Sequence, residues 1–190
     1  LEDGIPFLKK VGMRLNAGGH SIQSDFLGPQ GEYPYHHPRF QETEAKPPDP
    51  YPVSPQYIGD ADHNGKLTYA EAHPEWYAQH NGKRDAHRQP ELHYNHCTSN
   101  PDASRELARN LIQSLIDGRY RYTDIIDWMM LDHGPWCECD QCKKQGTPTD
   151  RMLDVQYRVY KEIQAARREG RLKRNVLLVT LAYLETLPPP

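Results

Sequence analysis

Residues 124–142 combine a buried-strand pattern with the side chains best suited to chemistry in this chain. The run 125–131 is short and apolar, as a buried strand is, and Asp132 and His133 follow it directly. Trp136 and a group of thiols come next. Enzymes with parallel α/β folds carry reactive side chains on the loops that follow rigid strands. This stretch is therefore the first candidate for a functional site.

Polar side chains also lie at the ends of the other predicted strands. His20 and Glu185 each follow an apolar run, and His96 lies near the end of another. If the strands are parallel, their carboxyl ends meet at one edge of the sheet. We therefore expect His20, His96, Asp132, His133 and Glu185 to share one face.

Two of these groups could hydrolyse a glycosidic bond, because glycosidases use one carboxyl group as general acid and another as nucleophile or base. Asp132 and Glu185 are the predicted catalytic pair, and Glu138 is a reserve. Other side chains could bind substrate, either by hydrogen bonds from imidazole or by aromatic stacking on sugar rings: His20, Trp76, Tyr94, His96, His133, Trp136 and Tyr183. The alternative is that Asp132 only caps the turn at Gly134 and that Glu185 is merely exposed.

A metal-dependent hydrolase is a further interpretation of the same edge. His20, His96, Asp132 and His133 offer imidazole and carboxylate, which suit Zn²⁺ or Mn²⁺. None of these residues has the i, i+4 spacing of ligands on one helix. This interpretation therefore ranks below the two-carboxylate one.

The segment 60–71, DADHNGKLTYAE, matches the EF-hand calcium loop at every ligand position. The predicted ligands are Asp60, Asp62, Asn64, Lys66 through its carbonyl, Thr68 through water, and Glu71 as a bidentate carboxylate. Gly65 allows the sharp turn between them. A proline-rich upstream flank, Pro74 downstream and the lack of a paired loop depart from EF-hands and favour a structural role over sensing. The alternative is an Asx-rich turn that binds no ion.

The four cysteines form a further candidate site. Cys137, Cys139 and Cys142 lie close together in the sequence, and Cys97 follows a predicted strand. They could form a closed structural zinc site, two disulfides that join neighbouring loops, or free buried thiols. The spacing favours a metal or a covalent link over a nucleophile, and it does not choose between zinc and disulfides.

Composition and hydrophobic pattern predict one domain of 190 residues, or a piece of a larger one. A net charge of −3 gives no reason to expect nucleic acid as a partner, and no apolar run is long enough to span a membrane. Strands over 11–17, 91–98, 125–131 and 176–183 alternate with helices after Asn100 and Thr147. This order predicts an α/β parallel sheet, barrel-like and best described as a partial TIM barrel, because a complete one needs about 250 residues. The segment 47–80 is predicted to be an inserted, proline-rich loop that carries the calcium loop.

Several ordered motifs resemble a bacterial domain family of unknown function. They are Gly18-Gly19-His20, His73–Tyr77 with Gly82-Lys83-Arg84, Cys97–Pro101, Asp132 ahead of Trp136-Cys137-x-Cys139-x-x-Cys142, and Ala182-Tyr183 with Pro188-Pro189. The resemblance extends from about Val11 to the end of the sequence. The calcium loop looks like an insertion within this pattern.

The resemblance implies a glycoside-hydrolase-like (β/α) barrel in a carbohydrate context. The family occurs in large exported proteins, often beside a domain similar to the amino-terminal domain of α-glucuronidases. It therefore implies a secreted, periplasmic or cell-surface location, a larger multidomain chain and a carbohydrate ligand. The family has no established catalytic residues to carry over. The functional hypothesis is a calcium-binding, glycoside-hydrolase-like domain that acts on or binds polysaccharide, and the alternatives are a non-catalytic calcium-stabilised module and a metal-dependent hydrolase.

Overall fold

The computed structural model of the chain describes residues 4–88, 95–131, 134–182 and 184–187. Its centre is a three-stranded parallel sheet in the order β1 (Asn16–Gly19), β2 (Ile125–Trp128) and β3 (Leu177–Thr180). The helices are α1 (Ile5–Lys10), α2 (Ile22–Leu27), α3 (Tyr69–Ala72), α4 (Pro101–Ile116), α5 (Asp140–Lys144) and α6 (Pro148–Arg168), with 3₁₀ turns over Pro74–Trp76 and Leu184–Thr186. No helix in these ranges is long and apolar enough to cross a membrane.

The two long helices begin where the sequence predicts them. The Asn100 side chain accepts hydrogen bonds from the first-turn amides of α4, and Thr147 forms a capping box with Asp150 at the start of α6. Proline occupies the first position of both helices, where a missing N–H costs no hydrogen bond. α4 and α6 pack against each other, and this arrangement buries Leu107 and Ile163 completely.

Gly18 allows β1 to lie close to β2. Its φ is +114°, and a Cβ at this position would lie 2.4 Å from the carbonyl oxygen of Asp127. No other residue type fits such a contact without moving the backbone.

Tyrosine hydroxyls hold the proline-rich loop and the segment before it against the core. Tyr35, Tyr51 and Tyr69 all donate hydrogen bonds, of 2.7–2.8 Å, to the carboxylate of Glu106 on α4. Arg109, one turn further along, binds the same carboxylate through Nε and Nη2 at 2.8 and 2.7 Å. Burial raises the pKa of Glu106, but the hydrogen bonds from Arg109 and Tyr69 outweigh it and lower this pKa below its ordinary value. The carboxylate is therefore a charged, fully buried anchor.

The strand prediction needs two corrections. The first strand is β1 at 16–19 rather than 11–17, because a helix over Ile5–Lys10 and the turn after it occupy the preceding residues. The strand predicted over 91–98 does not join the sheet in its described part, 95–98. His96 instead forms an isolated antiparallel bridge with Tyr77, through the Ala78 and Cys97 amides. Its own ring and backbone N–H bind Gln23. The parallel α/β class is confirmed, and the described strands form an open sheet rather than a closed barrel.

Candidate functional site

A cleft lies at the carboxyl edge of the sheet, where the sequence predicts the functional residues to meet. Segments after all three strands line it, because parallel strands end on the same side. His20 follows β1, Met130 follows β2, and Glu185 lies in the 3₁₀ turn after β3. Trp136 completes the wall. A carboxylate, an imidazole and an indole therefore surround one small space.

The backbone after β2 sets the orientation of His20. Its Nδ1 lies 2.8 Å from the carbonyl oxygen of Met130. Because a carbonyl can only accept, Nδ1 carries the proton in this contact, and in the neutral ring Nε2 is then the acceptor atom. A defined tautomer is useful for an imidazole that orients a sugar hydroxyl or assists proton transfer.

Asn95 binds the backbone of Leu131 and of Gly134, the described residues that flank Asp132 and His133 in the sequence. Its Oδ1 accepts from the backbone N–H of Leu131 at 3.2 Å, and its Nδ2 donates to the carbonyl of Gly134 at 2.9 Å. Gln23 on α2 donates to the same Oδ1 at 3.0 Å. Both amide side chains are buried. The residues on either side of the Asp132-His133 pair are thus tied to α2.

The enclosed part of the cleft is narrow. Its volume is about 10 Å³, the space of roughly one water molecule. A sugar ring is far larger, so a saccharide would contact the cleft at its mouth. Glu185 is exposed there, and Trp136 and His20 are half-buried.

The acidic loop 60–71 folds into a turn whose oxygens converge. Asp60, Asp62 and Glu71 each have a carboxylate oxygen within 4.8 Å of the others. Gly65 has φ of +79°, and its N–H donates to Asp60 at 2.8 Å. The Lys66 ammonium binds Glu32 at 2.9 Å. An ammonium has no lone pair, so only the Lys66 carbonyl could be an ion ligand. Glu71 is buried and also accepts from the Ala61 and Thr68 amides.

The four cysteines also converge, although they come from two separate segments, one with Cys97 and one with the other three. The Cys97 sulfur lies 3.6 Å from that of Cys137, 3.6 Å from that of Cys142 and 3.8 Å from that of Cys139. None of the four is in a disulfide. Cys139 caps α5, since its sulfur accepts from the Cys142 N–H. Arg84, which follows the turn at residues 80–83, places its guanidinium against the Cys97 and Cys137 sulfurs.

The sequence profile of a family described as "Domain of unknown function (DUF4838)" matches residues 62–190. The chain belongs to this family. Neither the curated proteins nor the solved structures contain a match to the chain. Membership in DUF4838 confirms the predicted family of unknown function, and it brings no catalytic residue or ligand with it.

Within this DUF4838 chain, the structure brings three predicted site residues together: His20, Trp136 and Glu185. Asp132, His133 and Tyr183, together with Tyr94, lie outside the described residues. In sequence, however, Asp132 directly follows the cleft residue Leu131.

Two predicted substrate ligands are instead part of the core. Trp76 is 1% exposed and stacks on His73, with ring centroids 4.1 Å apart. It cannot stack on a sugar without unfolding this aromatic cluster. His96 is also buried, and burial lowers its pKa to about 4. Its ring lies beside Gln23 rather than in the cleft, so it supports the fold.

Gln23 and Asn95 support the cleft and were not predicted from the sequence. Amide side chains have no charge and no characteristic spacing, so nothing in the local sequence distinguishes them from surface amides. Their only sequence signal is position: Gln23 comes just after His20, and Asn95 just before His96.

Proposed function

We propose that this domain is glycoside-hydrolase-like and that it acts on or binds polysaccharide at the carboxyl edge of its sheet. One observation carries the proposal: His20, Trp136 and Glu185 surround a single cleft at that edge. Parallel α/β folds place ligand sites there because the loops after all strands meet on one side. The open three-stranded sheet would then be part of a (β/α) barrel.

In this proposal Glu185 and Asp132 are the two carboxyl groups of the reaction. One protonates the glycosidic oxygen while the other acts as nucleophile or activates water. The oriented His20 imidazole would contact a sugar hydroxyl. Trp136 offers an aromatic face at the mouth, where a sugar ring too large for the enclosed space would lie. His133 and Tyr183 stay predictions as further substrate contacts.

We also propose that the loop 60–71 binds Ca²⁺ in a structural role. Three carboxylates within 4.8 Å of one another repel each other, and an ion with six to eight oxygen ligands would neutralise them. Asn64, Lys66 through its carbonyl and Thr68 through water would complete the set. Because Glu71 is buried beside the core, ion binding would stabilise the packing of the proline-rich loop.

The calcium proposal makes a non-catalytic module the second candidate. It is favoured by the contrast between three converging carboxylates in the loop 60–71 and a cleft in which Glu185 is the one carboxylate among the described lining residues. Such a module would bind glycan without turnover. The metal-hydrolase interpretation has less support, because His20 and His96 join no cluster of potential metal ligands in the described ranges.

The direct test is hydrolysis of a panel of plant and microbial polysaccharides, measured as the release of reducing ends. Glu185→Gln and Asp132→Asn each remove one carboxyl group with little change in shape. We expect a loss of about 10²–10⁴-fold in rate for each. Glu162→Gln, on the exposed face of α6, is the matched control and should keep wild-type activity.

Hydrolysis at the wild-type rate by both variants would refute the assignment of these two carboxyl groups. Glycan binding without turnover by the wild type would favour the non-catalytic module. Loss of wild-type turnover with a transition-metal chelator, and its recovery with Mn²⁺, which suits carboxylate rather than thiolate ligands, would favour the metal hydrolase. An exported, multidomain setting is part of the proposal, and localisation of the full-length protein in its host tests it.

A further inference from the structure

The geometry points to a tetrahedral zinc site made of Cys97, Cys137, Cys139 and Cys142, in which Arg84 offsets the charge of the bound thiolates. This inference is independent of the proposed carbohydrate function. It concerns the other end of the loop that follows β2 and uses none of the cleft residues.

The separation of the sulfurs suits a shared ion. Zinc–sulfur bonds are about 2.3 Å long, so the sulfurs of a regular tetrahedron lie about 3.8 Å apart. The sulfur of Cys97 lies 3.6–3.8 Å from each of the other three. All four sulfurs lie within 4.8 Å of one another.

Two disulfides would require a different arrangement. A disulfide brings its two sulfurs to about 2.05 Å, whereas Cys97 is nearly equidistant from its three neighbours. The three distances from the Cys97 sulfur therefore favour none of the other cysteines as its disulfide partner. A common central ion explains this equivalence, and two separate covalent pairs do not.

The groups around the sulfurs are donors, as bound thiolates need. Backbone N–H groups point at three of them: Gln79 at Cys137 (3.3 Å), Ser99 at Cys142 (3.4 Å) and Cys142 at Cys139 (3.5 Å). The fourth, Cys97, lies 3.4 Å from the hydroxyl of Ser99. Hydrogen bonds of this kind hold metal ligands in place and tune their charge.

Arg84 supplies the positive charge beside the cluster. Zn²⁺ with four thiolates carries a net charge of −2, which is costly to bury without a counter-charge. The guanidinium nitrogens of Arg84 lie 3.9 Å from the sulfurs of Cys137 and Cys97. Arg84 also donates to the backbone carbonyl of Tyr77, which fixes its position. Arg84 is therefore a positioning residue rather than a ligand.

Zinc is the ion that fits this donor set. Four thiolates select soft or borderline metals, and a closed tetrahedral site without an open position is structural. The site would join the segment before α4, the loop after β2 and, through Arg84 and Gln79, the segment 79–84. Cys97, Cys137 and Cys142 are buried, and Cys139 is half-buried, so solvent would reach the metal from one side.

The first experiment measures metal content and zinc K-edge absorption on the chain purified without chelator. We expect one zinc per chain and a first shell of four sulfurs at about 2.3 Å. Protein without metal, iron in place of zinc, nitrogen or oxygen in the first shell, or thiols absent after denaturation without reductant would each overturn the assignment. Because these measurements use the wild type, they decide the question even if Cys139→Ser, which removes one ligand, fails to fold.

The second experiment tests Arg84 by competition for zinc with a chromogenic chelator. Arg84→Met should lower zinc affinity by about 10–100-fold, the usual effect of losing a supporting contact to a metal ligand. Arg84→Lys keeps the charge and should recover most of that loss. Arg88→Met is the matched control, because Arg88 is exposed in the same turn region, and it should match the wild type. Equal zinc affinity in Arg84→Met and Arg88→Met would overturn the role of Arg84.

Discussion

Replacing Glu106 by Gln tests how the proline-rich loop is anchored. The substitution keeps the shape of the side chain but removes its charge and turns one acceptor atom into a donor. In the wild type, Glu106 accepts from three tyrosine hydroxyls and from both donor atoms of Arg109. The side chain of Glu106 is fully buried, so water cannot replace these contacts.

The expected loss is about 3 kcal/mol of unfolding free energy. Removing one member of a buried ion pair costs about 3–5 kcal/mol. The side chain of Arg109 is 45% exposed and can regain solvent, so the lower end of that range applies. The three hydroxyls can rotate to accept from the new amide, but each exchanges a charged hydrogen bond for a neutral one, which is worth less by about 1 kcal/mol.

The pH dependence follows from the lowered pKa of Glu106. The pKa of the carboxyl group is about 4.3 in the unfolded chain, and its pKa in the folded protein is lower. Its stabilisation is therefore fully present above the unfolded pKa and is lost as the pH falls through the folded pKa. The difference between wild type and Glu106→Gln should be largest at neutral pH and should shrink in acid.

Urea unfolding at several pH values between about 7 and about 3.5 measures this difference in stability directly. Glu162→Gln, at an exposed position, is the control and should change the free energy of unfolding by less than about 0.5 kcal/mol. If Glu106→Gln lowers the free energy of unfolding by less than about 1 kcal/mol at neutral pH, this carboxylate is not the main anchor of the proline-rich loop. A loss that stays the same across this pH range would also contradict this role.

Two further predictions concern the sheet and the calcium loop. Gly18→Ala should lower the free energy of unfolding, measured in urea, by at least about 2 kcal/mol, because the new Cβ meets the Asp127 carbonyl. Gly12 has φ of +84° and nothing within 4 Å of an added Cβ, so the control Gly12→Ala should cost about 1 kcal/mol. Equal losses would contradict the close approach of β1 and β2. Calcium at about 100 times its dissociation constant should raise the free energy of unfolding of the wild type by about 2.7 kcal/mol. Asp62→Asn should greatly reduce this gain, whereas the control Asp117→Asn, at an exposed residue, should retain it. If calcium does not change the stability of the wild type, the proposed site is refuted.

Local signals predicted the elements that depend on local chemistry. The caps at Asn100 and Thr147 and the apolar faces of α4 and α6 lie in contiguous sequence, so both helices could be predicted. The apolar runs that contain β2 and β3 were also recognisable. The same holds for the turn at Gly65, since its position within an acidic loop has a known geometry.

Long-range contacts account for what the sequence analysis missed. The bond between Tyr51 and Glu106 joins residues 55 positions apart, so no local pattern shows that the proline-rich loop packs into the core. Trp76 has the side chain of a sugar-stacking residue, and only its neighbours reveal that it is a core residue. Residue type suggested the role of Trp76, whereas packing determines it.

The cysteine cluster lies between these cases. The spacing of Cys137, Cys139 and Cys142 predicted that three sulfurs meet, because the turn that caps α5 is local. The position of Cys97 depends on the segment that bridges to Tyr77. The positive charge of Arg84 comes from yet another segment. Neither contribution can be deduced without the tertiary structure.

The most direct test of the proposed function is the position of a bound oligosaccharide in a crystal of the chain. The oligosaccharide would be chosen as the best ligand or substrate from the polysaccharide panel, and Glu185→Gln would be used to slow turnover. We predict a sugar ring against Trp136, with hydroxyl or glycosidic oxygens within hydrogen-bond distance of the His20 imidazole and of the amide introduced by Glu185→Gln. An oligosaccharide bound elsewhere, with the cleft at the carboxyl edge unchanged, would contradict the account.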